Sequence, residues 1–105
     1  MVSETVIGDH CMIGVGVKII RKFPYRNVPQ LGSRVYVGPG AVICGPVKIG
    51  NNVIIAPNAV VTRSIPDDCI VGGIPGKIIG KTTDLNYDIF ENPKYKDGFA
   101  EYLHE

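Results

Sequence analysis

An aliphatic side chain returns at every sixth position through most of this chain. Ile7, Ile13, Ile19, Leu31, Val37, Ile43, Ile49, Ile55 and Val61 share one phase, and each is Ile, Leu or Val. Ile, Leu and Val make up thirty of the 105 residues, so nine hits in one phase would arise by chance with a likelihood on the order of 10⁻⁵. The next residue is glycine at Gly8, Gly14, Gly32, Gly38 and Gly50. Four residues after each aliphatic stands a small or branched side chain: Cys11, Val17, Val35, Ala41, Val47, Val53, Ala59 and Ile65.

Six is not a multiple of 3.6, so these aliphatics would spiral around a helix. Six is a multiple of two, so they would all face one side of a strand. Glycine and asparagine interrupt each run before a long strand can form, at Gly8, Gly14, Gly50, Asn51, Asn52 and Asn58. A triangular coil reconciles these facts. Each hexad supplies one short strand and one corner, three hexads close a turn, and successive turns stack at the β spacing of roughly 4.8 Å. The aliphatic and the residue four later point inward. Gly and Asn are expected at the corners because they accept positive φ. A hexapeptide period is a β-helix signature, and an all-β fold follows.

Length and composition agree. A chain of 105 residues is expected to be one domain. A net charge of +1 argues against a nucleic-acid footprint. No apolar run reaches the length of a membrane span and residues 1–7 lack a signal-peptide pattern, so no membrane partner is expected. Three cysteines, an odd number, point to free thiols and a cytoplasmic location. Cys11 falls on an inward position and reads as a small buried hydrophobe. Cys44 and Cys69 lack metal spacing and read as structural, so no metal is expected.

The β-helix domain is expected over 1–80, with residues 1–6 a degraded hexad. Residues 21–30, RKFPYRNVPQ, break the pattern yet keep its phase. Their prolines, cations and aromatics read as a loop extruded from a corner, either a plain surface insertion or a binding element. Arg21, Lys22, Tyr25 and Arg26 are its candidate substrate contacts. Residues 81–105 differ in composition. Asn92 followed by Pro93 resembles a helix start, and Tyr95, Phe99 and Tyr102 recur at helical spacing, so a short helix is expected from about 93.

The stretch IGDHCMIGVGVKII, followed after the insertion by LGSRVYVGPGAVICGPVKIGNNVIIAPNAVVTRSIPDDCIVGGIPGKIIG, resembles the hexapeptide-repeat acyltransferases. Serine acetyltransferase and sugar or polysaccharide O-acetyltransferases look most similar. The resemblance covers about residues 5–80. Its most specific part is the close, VVTRSIPDDCIVGGIPGKIIG. It implies a left-handed parallel β-helix, a homotrimer, and acetyl transfer from acetyl-coenzyme A to a small hydroxyl acceptor, with the cofactor in a groove between neighbouring prisms.

By the same resemblance, Gly40, Ala41 and Ala59 match small groove positions beside the pantetheine arm. Arg63 and Lys77 match cations near the coenzyme's phosphates, and Gly76 allows close approach. Close packing and solvated surface charge are the alternatives for these residues. The family's general base is a histidine, suited to the task because its pKa lies near operating pH. The resemblance places it upstream of the hexads matched by residues 7–19, before Met1. A second family histidine belongs to the extruded loop, where Asn27, Val28, Pro29, Gln30 and Leu31 stand here. The chain's own histidines are His10, at an outward corner, and His104. His10 is the candidate base, with a solvated corner histidine as the alternative. Two functions stay open: an O-acetyltransferase acting on a sugar or small hydroxyl compound, or a truncated or non-catalytic trimeric scaffold that keeps a coenzyme groove.

Overall fold

The computed structural model of the chain describes residues 5–22 and 27–85. Within them lie β1 (Met12–Ile13), β2 (Lys18–Ile20), β3 (Gln30–Leu31), β4 (Val35–Val37), β5 (Val42–Cys44), β6 (Lys48–Ile49), β7 (Val53–Ile55), β8 (Val60–Val61), β9 (Cys69–Gly72) and β10 (Lys77–Lys81). A 3-10 turn, Thr82–Asp84, follows. Up to β8, every third strand pairs. One sheet runs β1-β4-β7-β9-β10, a second β2-β5-β8 and a third β3-β6. The strand pairs are parallel up to β9. The chain therefore winds around three faces, as the period of six requires.

Register measures each turn. Val35 stacks on Val53 and Val42 on Val60, eighteen residues apart. Met12 stacks on Tyr36 and Lys18 on Val42, twenty-four apart, because the insertion adds six residues to that turn. Ile54 stacks on Ile70, sixteen apart, so the last turn is tighter.

Both inward sets are observed. Ile19, Leu31, Val37, Ile43, Ile49, Ile55 and Val61 are buried, as are Val35, Ala41, Val47, Val53, Ala59 and Ile65. Burial falls off in the first turn. Ile13 is 42% exposed, while Ile7, Cys11 and Val17 pack on the core only in part. Cys11 is thus half-buried rather than fully inside, whereas Cys69 lies in the core.

The corners hold positive φ at one phase, three residues after the inward aliphatic: His10, Gly16, Arg34, Gly40, Asn52 and Asn58. This corrects the expectation for Gly8, Gly14 and Gly50, which are not in that region. Their reason is proximity. A Cβ on Gly14 would come 2.6 Å from the Pro39 nitrogen, and one on Gly8 would come 2.7 Å from the Gly32 carbonyl carbon. The glycine after the aliphatic is the point where one turn lies directly on the next.

Polar side chains bind one corner together. The Asp9 amide donates to Ser33 Oγ at 3.0 Å, the Ser33 amide to Asn51 Oδ1 at 2.8 Å, and the Asn51 amide to Asp67 Oδ1 at 2.7 Å. His10, Arg34, Asn52 and Asp68 are the adjacent residues of those same turns.

The far end departs from the parallel expectation. After β9 the chain bends at Gly73 (φ 92) and passes a cis Ile74–Pro75 bond. The Val60 amide donates to the Gly73 carbonyl and the Gly76 amide to the Val60 carbonyl, so this segment forms an irregular rung beside β8. β10 then returns antiparallel to β9. The fold-back covers the outer edge of β9 and makes β10 the last strand of the sheet. The packed unit continues past residue 80. Buried Thr82 donates its hydroxyl to the Asn52 carbonyl at 2.9 Å and accepts from Asn52 Nδ2 at 3.0 Å. The helix expected from about 93, with Tyr95, Phe99 and Tyr102, lies outside the described residues.

Candidate functional site

The three corners carry different chemistry. The corner between the β3-β6 and β1-β4-β7-β9-β10 sheets holds Asp9, His10, Arg34, Asn52, Asp67, Asp68 and the Thr82–Asp84 turn. Every acid among the described residues, Asp9, Asp67, Asp68 and Asp84, belongs to it. The second corner stacks Gly16, Gly40 and Asn58, joined by Gly40 N–H to Val15 O and Asn58 N–H to Pro39 O.

The third corner, between the β2-β5-β8 and β3-β6 sheets, is basic. Arg21 and Lys22 leave β2 there. The Gly45 amide donates to the Ile20 carbonyl at 3.0 Å. A Cβ on Gly45 would lie 3.5 Å from Lys22 Cβ. One turn further on, the Lys48 amide donates to Ser64 Oγ at 3.0 Å, which brings Arg63 beside Lys48. Four cations thus gather around one edge, and no acid of the described residues shares it.

A cleft of about 280 Å³ opens at this edge, lined by Asn27, Val28, Gln30, Pro46, Val47 and Lys48. Val28 and Val47 are buried, and with Pro46 they give it an apolar floor. Gln30 braces one wall: Oε1 accepts from the Val6 amide at 2.9 Å and Nε2 donates to the Val28 carbonyl at 3.4 Å.

The sequence candidates divide. Arg63 and Lys77 are exposed and stand at opposite ends of the β8 rung. Arg63 follows its C-terminal end, and Lys77 follows Gly76, which binds Val60 at its start. Between them the outer face of the β2-β5-β8 sheet presents Lys18, Ile20, Val42, Cys44 and Val60. Gly76 has a packing duty: a Cβ there would meet Val60 O at 3.0 Å and Val71 Cγ1 at 3.2 Å. Ala41 and Ala59 are wholly buried at inward positions, and their methyl groups fill the narrow core beside the Gly40 corner. Gly40 itself is half-buried, and a Cβ on it would run into the Asn58 side chain.

His10 is exposed on the acidic corner, away from Arg21, Lys22 and Arg63 within one chain. Tyr25 and Arg26 lie outside the described residues. Of the cleft residues, Pro46 and Lys48 carry no signal of their own in the sequence. A signal for them exists: once residues are placed on corners, the acids of the described residues fall on one edge, with Arg34 among them, and Arg21, Lys22, Lys48 and Arg63 on another.

Residues 29–63 match the family described as bacterial transferase hexapeptide (six repeats). The serine acetyltransferase of Synechococcus elongatus is 42% identical over 98% of this chain and 43% of its own length. That of Mycobacterium tuberculosis is 44% identical over 76% of this chain and 38% of its own. The crystal structure of serine acetyltransferase from Brucella abortus superposes with a TM-score of 0.75 and 32% identity, over 78% of this chain and 34% of that one. A hexapeptide-repeat acetyltransferase of Vibrio cholerae, solved with acetyl coenzyme A, gives 0.69 and 29%, over 76% of this chain and 50% of that one. The chain thus spans about two-fifths of the length of the curated relatives it matches.

Proposed function

Because this chain belongs to the hexapeptide-repeat acyltransferase family, we propose that it is the coenzyme-binding, β-helical part of an acetyl-CoA-dependent O-acetyltransferase. The observation that carries this reading is the identity of 42% spread over 98% of the chain, which includes the closing segment 60–80 as well as the repeats. In this reading the coil is left-handed and three chains assemble about a three-fold axis. The pantetheine arm of acetyl-CoA lies on the apolar outer face of the β2-β5-β8 sheet, where Ile20 is 39% exposed and Val42 and Val60 stand beside it. The arm suits this surface: its carbon segments lie against Ile20, Val42 and Val60 while its two amides and hydroxyl stay open to hydrogen bonding, and Arg63 or Lys77, one at each end of β8, offers charge to the phosphates at the arm's one phosphorylated end.

The chemistry is acyl transfer. The acceptor oxygen bonds to the thioester carbonyl carbon, the carbon–sulfur bond breaks, and the acceptor's proton ends on the departing coenzyme thiol. An imidazole near the acceptor would carry that proton. His10 is the imidazole among the described residues, and it occupies the corner remote from the basic edge. Coenzyme binding and rapid turnover are therefore separable here, and binding is the property this chain supplies.

A non-catalytic scaffold that keeps the coil and a coenzyme groove is the second reading, favoured by the place of His10 on the corner remote from the basic edge. Assay of acetyl transfer beside calorimetric titration with coenzyme A separates the two. Binding with transfer to a hydroxyl acceptor supports the enzyme reading, and binding without transfer supports the scaffold.

A further inference from the structure

The outer face of the β1-β4-β7-β9-β10 sheet is used neither by the core nor by the proposed coenzyme surface. We infer that this face is the docking surface for the chain's own last twenty residues, 86–105, which lie outside the described residues. The inference is independent of the acetyl-transfer reading. It rests on this face, on where the chain leaves it and on the composition of the segment.

The face is a continuous apolar strip. Along β4, β7 and β9 the half-buried Tyr36, Ile54 and Ile70 stand between buried neighbours, so these three side chains point outward. Register stacks them in one column: Met12 on Tyr36, Tyr36 on Ile54, and Ile54 on Ile70. Met12 is 39% exposed. Beside the column runs a furrow of small residues. A Cβ on Gly72 would lie 3.5 Å from the Ala56 methyl group and 3.0 Å from Ile79, which is itself 66% exposed. No charged residue stands at the outward positions of β1, β4, β7 and β9. The other two sheets differ. Gln30 and Lys48 stack on the outside of one, and Lys18 opens the outer column of the other. A contiguous apolar strip of this kind marks a surface that something covers.

The occupant follows from where the chain goes. β10 is the last strand of this sheet. The Thr82 amide then donates to the Asp68 carbonyl at 3.0 Å, and the Thr82 hydroxyl to the Asn52 carbonyl at 2.9 Å. Asp68 precedes β9 and Asn52 precedes β7, so the chain passes Leu85 at the border of the apolar strip. From Ile70 to Met12 is three strand spacings, about 15 Å. Twenty residues reach about 30 Å even if wholly helical. The segment also has the matching chemistry. It holds Tyr87, Phe90, Tyr95, Phe99 and Tyr102, five of the eight aromatic residues of the chain. The spacing of Tyr95, Phe99 and Tyr102 puts them on one side of a helix, with Lys94, Asp97 and Glu101 on the other. A helix this short is marginal alone in water and needs a surface for its apolar side. The tether at Leu85 holds the segment beside the strip at high effective concentration, an advantage a second copy of the chain lacks.

The test uses the full chain, with hydrogen exchange and hydroxyl-radical footprinting both read by mass spectrometry, and two variants. Phe99→Asp alters the segment alone, and Ile54→Lys alters the face. In the wild type, amides of residues 86–105 should exchange about tenfold or more slowly than in a free peptide of that sequence. Met12 and Tyr36 should be poorly oxidised. Phe99→Asp should free the segment's amides and raise oxidation of Met12 and Tyr36 about threefold as the aromatic cover leaves. Ile54→Lys should free the segment while the amides of β5 and β8 stay protected. Exchange of the wild-type segment at the free-peptide rate would overturn the inference. So would Met12 and Tyr36 staying shielded in Phe99→Asp, which assigns the face to a second copy of the chain. Protection of the segment in a folded Ile54→Lys chain would overturn it too, by seating the segment elsewhere. Should Ile54→Lys fail to fold, Phe99→Asp decides, because Phe99 lies outside the described coil.

Discussion

Gly38 lies under Pro57 so closely that a Cβ on Gly38 would come 2.5 Å from the Pro57 nitrogen. Its neighbour in the hexad logic, Gly16, is the opposite case: it has φ 74, and a Cβ there meets nothing nearer than the Gly40 nitrogen at 3.8 Å. Glycines at two different positions of the hexad are therefore kept for different reasons, contact at one and backbone conformation at the other. Gly38→Ala should destabilise the fold by about 2 kcal/mol or more, since backbone must move. Gly16→Ala should cost roughly 1 kcal/mol for the left-handed conformation, and Gly16→Asn less, because Asn52 and Asn58 already occupy equivalent corners. Thermal melts of the three variants check the order.

Val53 is completely buried between turns. Val53→Asp would place an unpaired carboxylate in the stack, a cost of several kcal/mol. The variant should be unfolded by circular dichroism at room temperature, whereas Thr62→Asp, on the exposed side of the same coil, should keep the wild-type spectrum.

Thr82 closes the acidic corner through two bonds to Asn52, at 2.9 and 3.0 Å. Thr82→Val keeps the shape and leaves the Asn52 carbonyl and amide short of a partner. A loss of about 1–2 kcal/mol is expected, read as a lower denaturant midpoint with an unchanged slope.

The insertion that follows β2 adds six residues to one turn without disturbing the stacking of Lys18 on Val42 or Gln30 on Lys48. Replacing residues 23–26 with Gly-Ser pairs of equal length should therefore leave the melting temperature within a few degrees, since the loop-closure cost is unchanged at equal length and the stacking holds on either side at Lys18 and Gln30. Light scattering of the same variant reports whether the expected trimer survives. Dissociation would make the loop an assembly element.

How far the sequence could be read follows from where each residue's constraint lies. The inward aliphatics Ile43, Ile55 and Val61 announce themselves because burial repeats at a fixed period. Gly14 and Gly38 were visible as a pattern but not in cause, since coil-on-coil contact is a relation between residues eighteen or more apart. Ala41 and Ala59 carry a double signal in the sequence, because a small side chain suits both a narrow corner core and a backbone that a ligand approaches; the coil's geometry shows the first. The antiparallel return of β10 was not legible, because IVGGIPGKIIG has the same aliphatic content as another turn. The cleft needed the corners assigned before Lys48 and Asn27 could be seen to share an edge.

Charge at either end of β8 is the lever on coenzyme binding. Arg63→Glu and Lys77→Glu should each weaken coenzyme A binding by about fivefold or more, with a larger effect at 20 mM salt than at 200 mM, because exposed charges are screened. Neither change should alter the melting temperature by more than a degree or two, since both side chains are exposed.

The central claim is that this coil is a coenzyme-binding acetyltransferase unit, and isothermal titration of the purified chain with acetyl-CoA tests it most directly. The account predicts saturable binding at one site per chain, competed by coenzyme A and weakened by Arg63→Glu. No detectable binding at millimolar acetyl-CoA by a folded, assembled chain would contradict it.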